Sequence, residues 1–133
     1  MTKTRTICPF CGCGCSFYLV TENGRVAGIE PSPLNPVNRG MLCVKGWNAY
    51  AFIDSPDRLT RPLIRKEGRL VESSWEEALG LVATRLKEIR TRCGPRALAF
   101  LSSAKVTNEE NYLFMKMARA VFGSNNVDHC ARL

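Results

Sequence analysis

The sequence predicts a chain of the α+β to α/β class: a small antiparallel-β unit that supports a cysteine loop, followed by the first βαβ segment of an incomplete α/β domain. Three observations predict it. Four of the seven cysteines crowd into "CPFCGCGC" (Cys8, Cys11, Cys13 and Cys15), just ahead of two β-prone runs. A basic connector containing proline interrupts the chain near residue 60. Beyond it the order is helix, strand, helix, strand, and strand–helix–strand is the unit from which parallel sheets are built.

The elements follow in order. "SFYLV" and "RVAGI" are separated by "TENG", whose Asn23-Gly24 pair suits the positive φ angles of a tight hairpin turn. "EPSPLNPVNRG" holds three prolines and two asparagines, and it reads as an ordered loop that returns the chain to "GMLCVKG", where Cys43 stands alone. "IDSPDRLTRPLIRKEGRLVESSW" is a connector with one short hairpin at Glu67-Gly68, which places the boundary between a first domain, 1–60, and a second, 61–133.

The clearest helix comes next. Ser74 and Glu77 form a capping box, Gly94-Pro95 stops the helix, and Ala78, Leu79, Val82, Leu86 and Ile89 share one face. "ALAFLSS" is a continuous apolar run, expected as a strand covered on both faces. "TNEENYLFMKMARAVFG" opens on a second capping box, Thr107 to Glu110, and closes on Gly123. Its apolar residues from Tyr112 to Phe122 point almost all round, so neighbours are expected on several sides. "NNVDHCA" is a last short strand. Two strands do not make a stable parallel sheet, so the fold is expected to continue beyond Leu133.

The formal net charge is +7, from 19 basic and 12 acidic residues. It is densest around Arg58, Arg61, Arg65, Lys66 and Arg69, which suits an anionic cofactor. No stretch interleaves basic residues with aromatics, which weighs against nucleic acid as a partner. The start, "MTKTRTICPF", has no apolar run, so neither an export signal nor a membrane span is expected, and a reducing cytoplasmic setting follows. In such a setting, an odd and crowded set of cysteines argues for metal rather than disulfides.

Cys8, Cys11 and Cys15 are spaced C-x2-C-x3-C, and Cys43 follows after 27 intervening residues. Three thiolates on one tight loop can take three iron corners of a cubane cluster, with the fourth supplied from a distant loop. Gly12 and Gly14 suit such a loop, because backbone must pass close to the sulfides and can need positive φ; Pro9 stiffens it. Zinc also takes four thiolates, but its structural sites usually draw ligands in two close pairs, and Cys43 has no Cys or His a few residues away. Cys13 reads as a spare thiol or a substitute ligand. Cys93 and Cys130 read as small apolar core residues. Lys45, two residues after Cys43, reads by itself as a solvated charge, although a cation beside a cluster favours its reduced state. His129 is the only histidine and reads as structural.

Taken together, "CPFCGCGC", "GMLCVKG", "SWEEAL" and "NNVDHCARL" make the whole chain resemble the amino-terminal part of formate dehydrogenase catalytic subunits, within the molybdopterin oxidoreductase family. The cysteine pattern is shared with other members such as periplasmic nitrate reductases, whereas the "NVDHCAR" ending points to formate. The resemblance implies that Cys8, Cys11, Cys15 and Cys43 bind one [4Fe-4S] cluster. It also implies that Lys45 lies between cluster and pterin as an electron relay and cofactor contact. Cys13 departs from the small residue usual at its position.

The resemblance further implies molybdenum or tungsten held by two molybdopterin guanine dinucleotides, with formate oxidised to carbon dioxide at that metal. The implied partners are the remainder of the catalytic subunit and electron-transfer subunits, iron–sulfur or NAD-linked. In these enzymes the metal's protein ligand is a cysteine or selenocysteine followed by histidine. It is expected just after Leu133, so no catalytic residue is expected within the chain. A selenocysteine UGA codon read as a stop is the first expected origin of this terminus, with a deliberately shortened chain or one subunit of a split enzyme as the alternatives. The rival readings are a free-standing [4Fe-4S] electron carrier and a zinc-stabilised binding module.

Overall fold

A computed structural model describes residues 1–130, with the backbone but not the side chain of Cys130. The expectation of Cys130 as a core residue, and of a metal ligand beyond Leu133, therefore lies outside the described residues. Packing divides the chain into two compact units. The first comprises Met1–Arg58, Ser102–Phe114 and, among the described residues, His129 and Cys130; the second comprises Leu59–Leu101 and Met115–Asp128.

The first unit is built on an antiparallel sheet of β1 (Thr2–Ile7), β2 (Ser16–Glu22) and β3 (Arg25–Pro31), with β2 in the middle. Asn23 and Gly24 take φ of 50° and 77° at the β2–β3 turn, the conformation that the pair predicts. β1 has no counterpart among the expected elements. Its register runs from Thr2 opposite Thr21 to Ile7 opposite Ser16, which makes residues 8–15, the cysteine loop, the connection of a hairpin. The backbone N–H of Cys8 donates to the carbonyl of Cys15 at 2.8 Å and closes that connection. Cys8, Phe17 and Ala49 form the buried cluster beneath it, with Phe10, Cys15, Leu19, Ile29 and Leu42 packed around them. The one-turn helix α1 (Val44–Trp47) follows Cys43 directly.

In the second unit, β4 (Leu63–Lys66) and β5 (Arg69–Glu72) form the expected hairpin, with Glu67 and Gly68 at φ of 50° and 81°. Helix α2 (Trp75–Cys93) begins at Ser74, whose hydroxyl accepts from the Glu77 N–H at 3.1 Å. The reciprocal half of the capping box is replaced. The Glu77 carboxylate accepts from the Ser73 hydroxyl at 2.7 Å and pairs with the Lys66 ammonium at 2.8 Å, so it joins the helix start to the hairpin.

No residue of α2 is buried, and Leu79 on its apolar face is 59% exposed. Cys93 at its end is exposed too, which corrects the expectation of a core thiol: a helix that buries no residue offers its last turn no core.

The remaining elements are β6 (Phe100–Ser103), α3 (Asn108–Lys116), which widens into π-helical turns over Met117–Val121, and β7 (Val127–Cys130). β6 and β7 pair in parallel, completing the expected βαβ order. The capping box of α3 is reciprocal: the Glu110 N–H donates to the Thr107 hydroxyl at 3.3 Å, and the Glu110 carboxylate accepts from the Thr107 N–H at 2.7 Å.

Two packing expectations need correction. Leu98 and Phe100 are buried, with the Phe100 ring 5.4 Å from that of Phe122, but Leu101 is 77% exposed. Alternate side chains of a strand point to opposite faces, and only the Phe100 face is covered here. Likewise, Tyr112, Leu113 and Val121 are exposed, and Ala118 is the one buried residue named in this helical run.

Candidate metal centre

The hairpin connection presents its sulfurs at graded depth. Cys8 is buried, Cys11 and Cys15 are half-buried, and Cys13 and the more distant Cys43 are exposed. Burial pushes the Cys8 thiol above its ordinary value, and Cys11, Cys43 and Cys13 add to that by their negative charge, against an opposing N–H from Phe10. Cys15 is pushed up to about 11, first by burial and then by Cys13, whose sulfur lies 3.6 Å away. Cys43 moves the other way. The backbone N–H of Gly46 holds its thiol below the ordinary value, outweighing a slight desolvation, and Lys45 helps through its own N–H and its charge.

Buried, mutually repelling thiols resist ionisation, and a cation that coordinates them removes that penalty by deprotonating them outright. An all-sulfur donor set of this kind suits iron–sulfur clusters and zinc. Among the described residues, no three His, Cys, Asp or Glu side chains form a group that could hold a metal ion. A cubane asks for something else, one thiolate at each of four separated iron corners, and the five sulfurs named above supply donors of that kind with one to spare.

Two asparagines hold the sulfur-bearing segments in place, and neither stands out in the sequence. Asn38 is buried; its side-chain oxygen accepts from the Ser16 N–H at 3.1 Å, and its amide donates to the carbonyls of Ser16 at 3.1 Å and Met41 at 2.8 Å. It thereby ties the residue after Cys15 to the strand of chain that leads into Cys43. Asn35 in turn fixes Asn38, accepting its N–H at 3.1 Å and that of Val37 at 2.8 Å. The second is Asn108, the first residue of α3, whose amide donates to the Gly12 carbonyl at 2.7 Å.

The glycines of the loop now separate in role. Gly14 has φ of +78° with open space around it, so its requirement is conformational. A Cβ on Gly12 would stand 2.5 Å from the Asn108 side-chain oxygen, so its requirement is room.

Lys45 is exposed, in the single turn of α1 that follows Cys43. His129 is also exposed. Within the basic cluster, Arg58 lies over the Phe52 ring at 4.9 Å, Arg65 donates to the Gly68 carbonyl at 2.6 Å and Lys66 pairs with Glu77. Part of that charge is thus used within the fold. No helix among the described residues is long and apolar enough to cross a membrane.

Residues 1–55 match the molybdopterin oxidoreductase Fe4S4 domain, and residues 58–133 match the molybdopterin oxidoreductase family. A Bacillus subtilis protein provisionally named a formate dehydrogenase is 52% identical over 130 residues, which is 98% of this chain and 13% of that protein. The F420-dependent formate dehydrogenase subunit alpha of Methanocaldococcus jannaschii is 51% identical over 128 residues, 96% of this chain and 18% of the relative. The F420-dependent formate dehydrogenase 2 subunit alpha of Methanococcus maripaludis is 49% identical with the same coverage, 96% and 18%. The chain thus spans less than a fifth of the length of these curated relatives.

Proposed function

This chain belongs to the molybdopterin oxidoreductase family, and from that premise we propose that it is the cluster-bearing amino-terminal part of a formate dehydrogenase. The observation that carries the reading is the match of residues 1–55 to the molybdopterin oxidoreductase Fe4S4 domain, a stretch that contains both the cysteine loop and Cys43. Cys8, Cys11, Cys15 and Cys43 hold the [4Fe-4S] cluster, within a domain of residues 1–60. Residues 61–133 begin the molybdopterin domain.

Bound there, the cluster supplies one-electron storage between the molybdopterin-bound molybdenum or tungsten and an outside carrier. The chain's own groups prepare that step. Burial of Cys8, Phe17 and Ala49 keeps water from one side of the sulfurs. The Gly46 N–H favours negative charge on the Cys43 sulfur. Lys45, beside it, places a cation where an added electron is stabilised, and it acts as the relay toward the pterin. Formate, oxidised to carbon dioxide, is the substrate of the whole protein, as the names of its relatives suggest. Electron-transfer subunits are its partners, and the cytoplasm, where such thiols stay reduced, is its location.

Anaerobic reconstitution with ferrous iron and sulfide tests the assignment. The expected product is brown, absorbs at about 400 nm, and bleaches reversibly on reduction. Alanine at Cys8, Cys11 or Cys43 should abolish or reduce that absorbance. A chain that stays colourless and takes up zinc instead would sink the reading.

A further inference from the structure

Cys13 is outside the proposed ligand set, but it is not an isolated surface thiol. Its sulfur lies 3.6 Å from that of Cys15, and the Cys15 thiol is directed at it. The backbone on either side is asymmetric. Gly12 is held by Asn108, whereas a Cβ on Gly14, in the turn between Cys13 and Cys15, would meet nothing within 4 Å. Two thiols in contact, one residue apart and joined through a glycine, compete for a single coordination position.

We infer that Cys13 is a second ligand for the cluster corner held by Cys15, and that the two exchange. This rests on the proposed cluster. In the exchange, the iron–sulfur bond to Cys15 breaks as a bond to Cys13 forms, and the proton of the Cys13 thiol passes to the departing Cys15 thiolate. Coordination number, electron count and charge are unchanged, so no oxidant or reductant takes part. The consequence is retention: loss or chemical modification of Cys15 leaves the corner filled.

The test uses the full chain and three variants, Cys13→Ala, Cys15→Ala and the double variant. All are reconstituted under the same anaerobic conditions and assayed for iron and acid-labile sulfide per chain, and for the electron paramagnetic resonance signal of the reduced cluster. Cys15→Ala is expected to keep an iron content close to that of the unchanged chain, with an altered signal, while the double variant loses most of it. If the unchanged chain loads but Cys15→Ala is as empty as the double variant, the exchange is refuted and the cluster assignment stands. An unchanged signal in Cys15→Ala, with loss in Cys13→Ala, makes Cys13 the sole ligand and equally refutes exchange. If the unchanged chain itself takes up no cluster, the function proposed above fails first. Should Cys15→Ala not fold by far-ultraviolet circular dichroism, Cys13→Ala decides: iron release to a soluble chelator should be several-fold faster than from the unchanged chain, and equal rates overturn the inference.

Discussion

The side-chain amide of Asn108 donates to the backbone carbonyl of Gly12 at 2.7 Å, across a sequence separation of 96. The first residue of α3 is thereby fastened to the turn that carries the cysteines, within one compact unit. Because a Cβ at Gly12 would collide with the other end of that amide, the two positions are matched.

Gly12→Ala should therefore displace the Asn108 amide and destabilise the chain by about 0.5–1.5 kcal/mol, the usual worth of the hydrogen bond given up. Asn108→Ala, which removes one exposed hydrogen bond, should cost about 0.5–1.5 kcal/mol. The double variant should cost less than the sum, because the shorter side chain makes room for the new methyl. Chemical denaturation of all four proteins measures this; strict additivity would show that the contact is not what reserves position 12 for glycine.

Asn38→Ala should be the more damaging asparagine change. It strands a buried N–H and carbonyl of Ser16 together with the carbonyl of Met41, at a cost of about 2 kcal/mol or more. Since those groups flank Cys15 and precede Cys43, the yield of reconstituted cluster should fall with stability. Full cluster yield in a destabilised Asn38→Ala chain would separate the asparagine from the metal site.

Phe17 is 2% exposed at the centre of the buried cluster beneath the loop. Phe17→Ala should cost about 3–5 kcal/mol through lost apolar contact and the cavity left behind. The midpoint of urea unfolding reads this directly, and a change within experimental scatter would place the core elsewhere.

Glu77 supplies a pH dependence. Its carboxyl is held below the ordinary value, first by Lys66 and then by the Ser73 hydroxyl. A depressed folded value means that the ion pair contributes above the ordinary carboxylate pKa, and that the contribution disappears as pH falls through the lower, folded one. Carbon-detected NMR should show the Glu77 carboxyl titrating below ordinary glutamates, and Lys66→Ala should move it back up. No upward movement in that variant would remove Lys66 as the cause.

The parts of this fold that were legible in the sequence are those governed by local chemistry. Asn23-Gly24 and Glu67-Gly68 announced their turns, because few residue pairs accept two positive φ angles. Thr107 and Glu110 announced a helix start, because both partners lie within one turn. β1 left no such mark. It is an outer strand with Thr2 to Arg5 exposed, so no buried face imposes an apolar alternation on its sequence. Asn38 and Asn108 were illegible for a related reason: their partners are backbone groups 22 and 96 positions away, and a backbone carbonyl has no sequence signature.

The spacing of the cysteines points to a cluster by itself, whereas the hold of Asn38 on Ser16 and Met41, which links the loop to the approach to Cys43, shows only in the fold. The expectations for Leu101 and Cys93 erred in one direction. Both assume that an apolar residue in a regular element finds a cover, and among the described residues none lies over Leu101 or the end of α2.

The eight residues from Cys8 to Cys15 form a single hairpin connection, closed by one backbone bond between its two ends. Three of the four proposed attachments thus travel together on a span short enough to be complete while the rest of the chain is still being synthesised. The fourth must close a loop of 27 intervening residues, a larger entropic step. In entropic terms the proposed site is a three-point cradle within one hairpin and a distant latch, Cys43, whose approach is set by Asn38 and the Pro-rich loop.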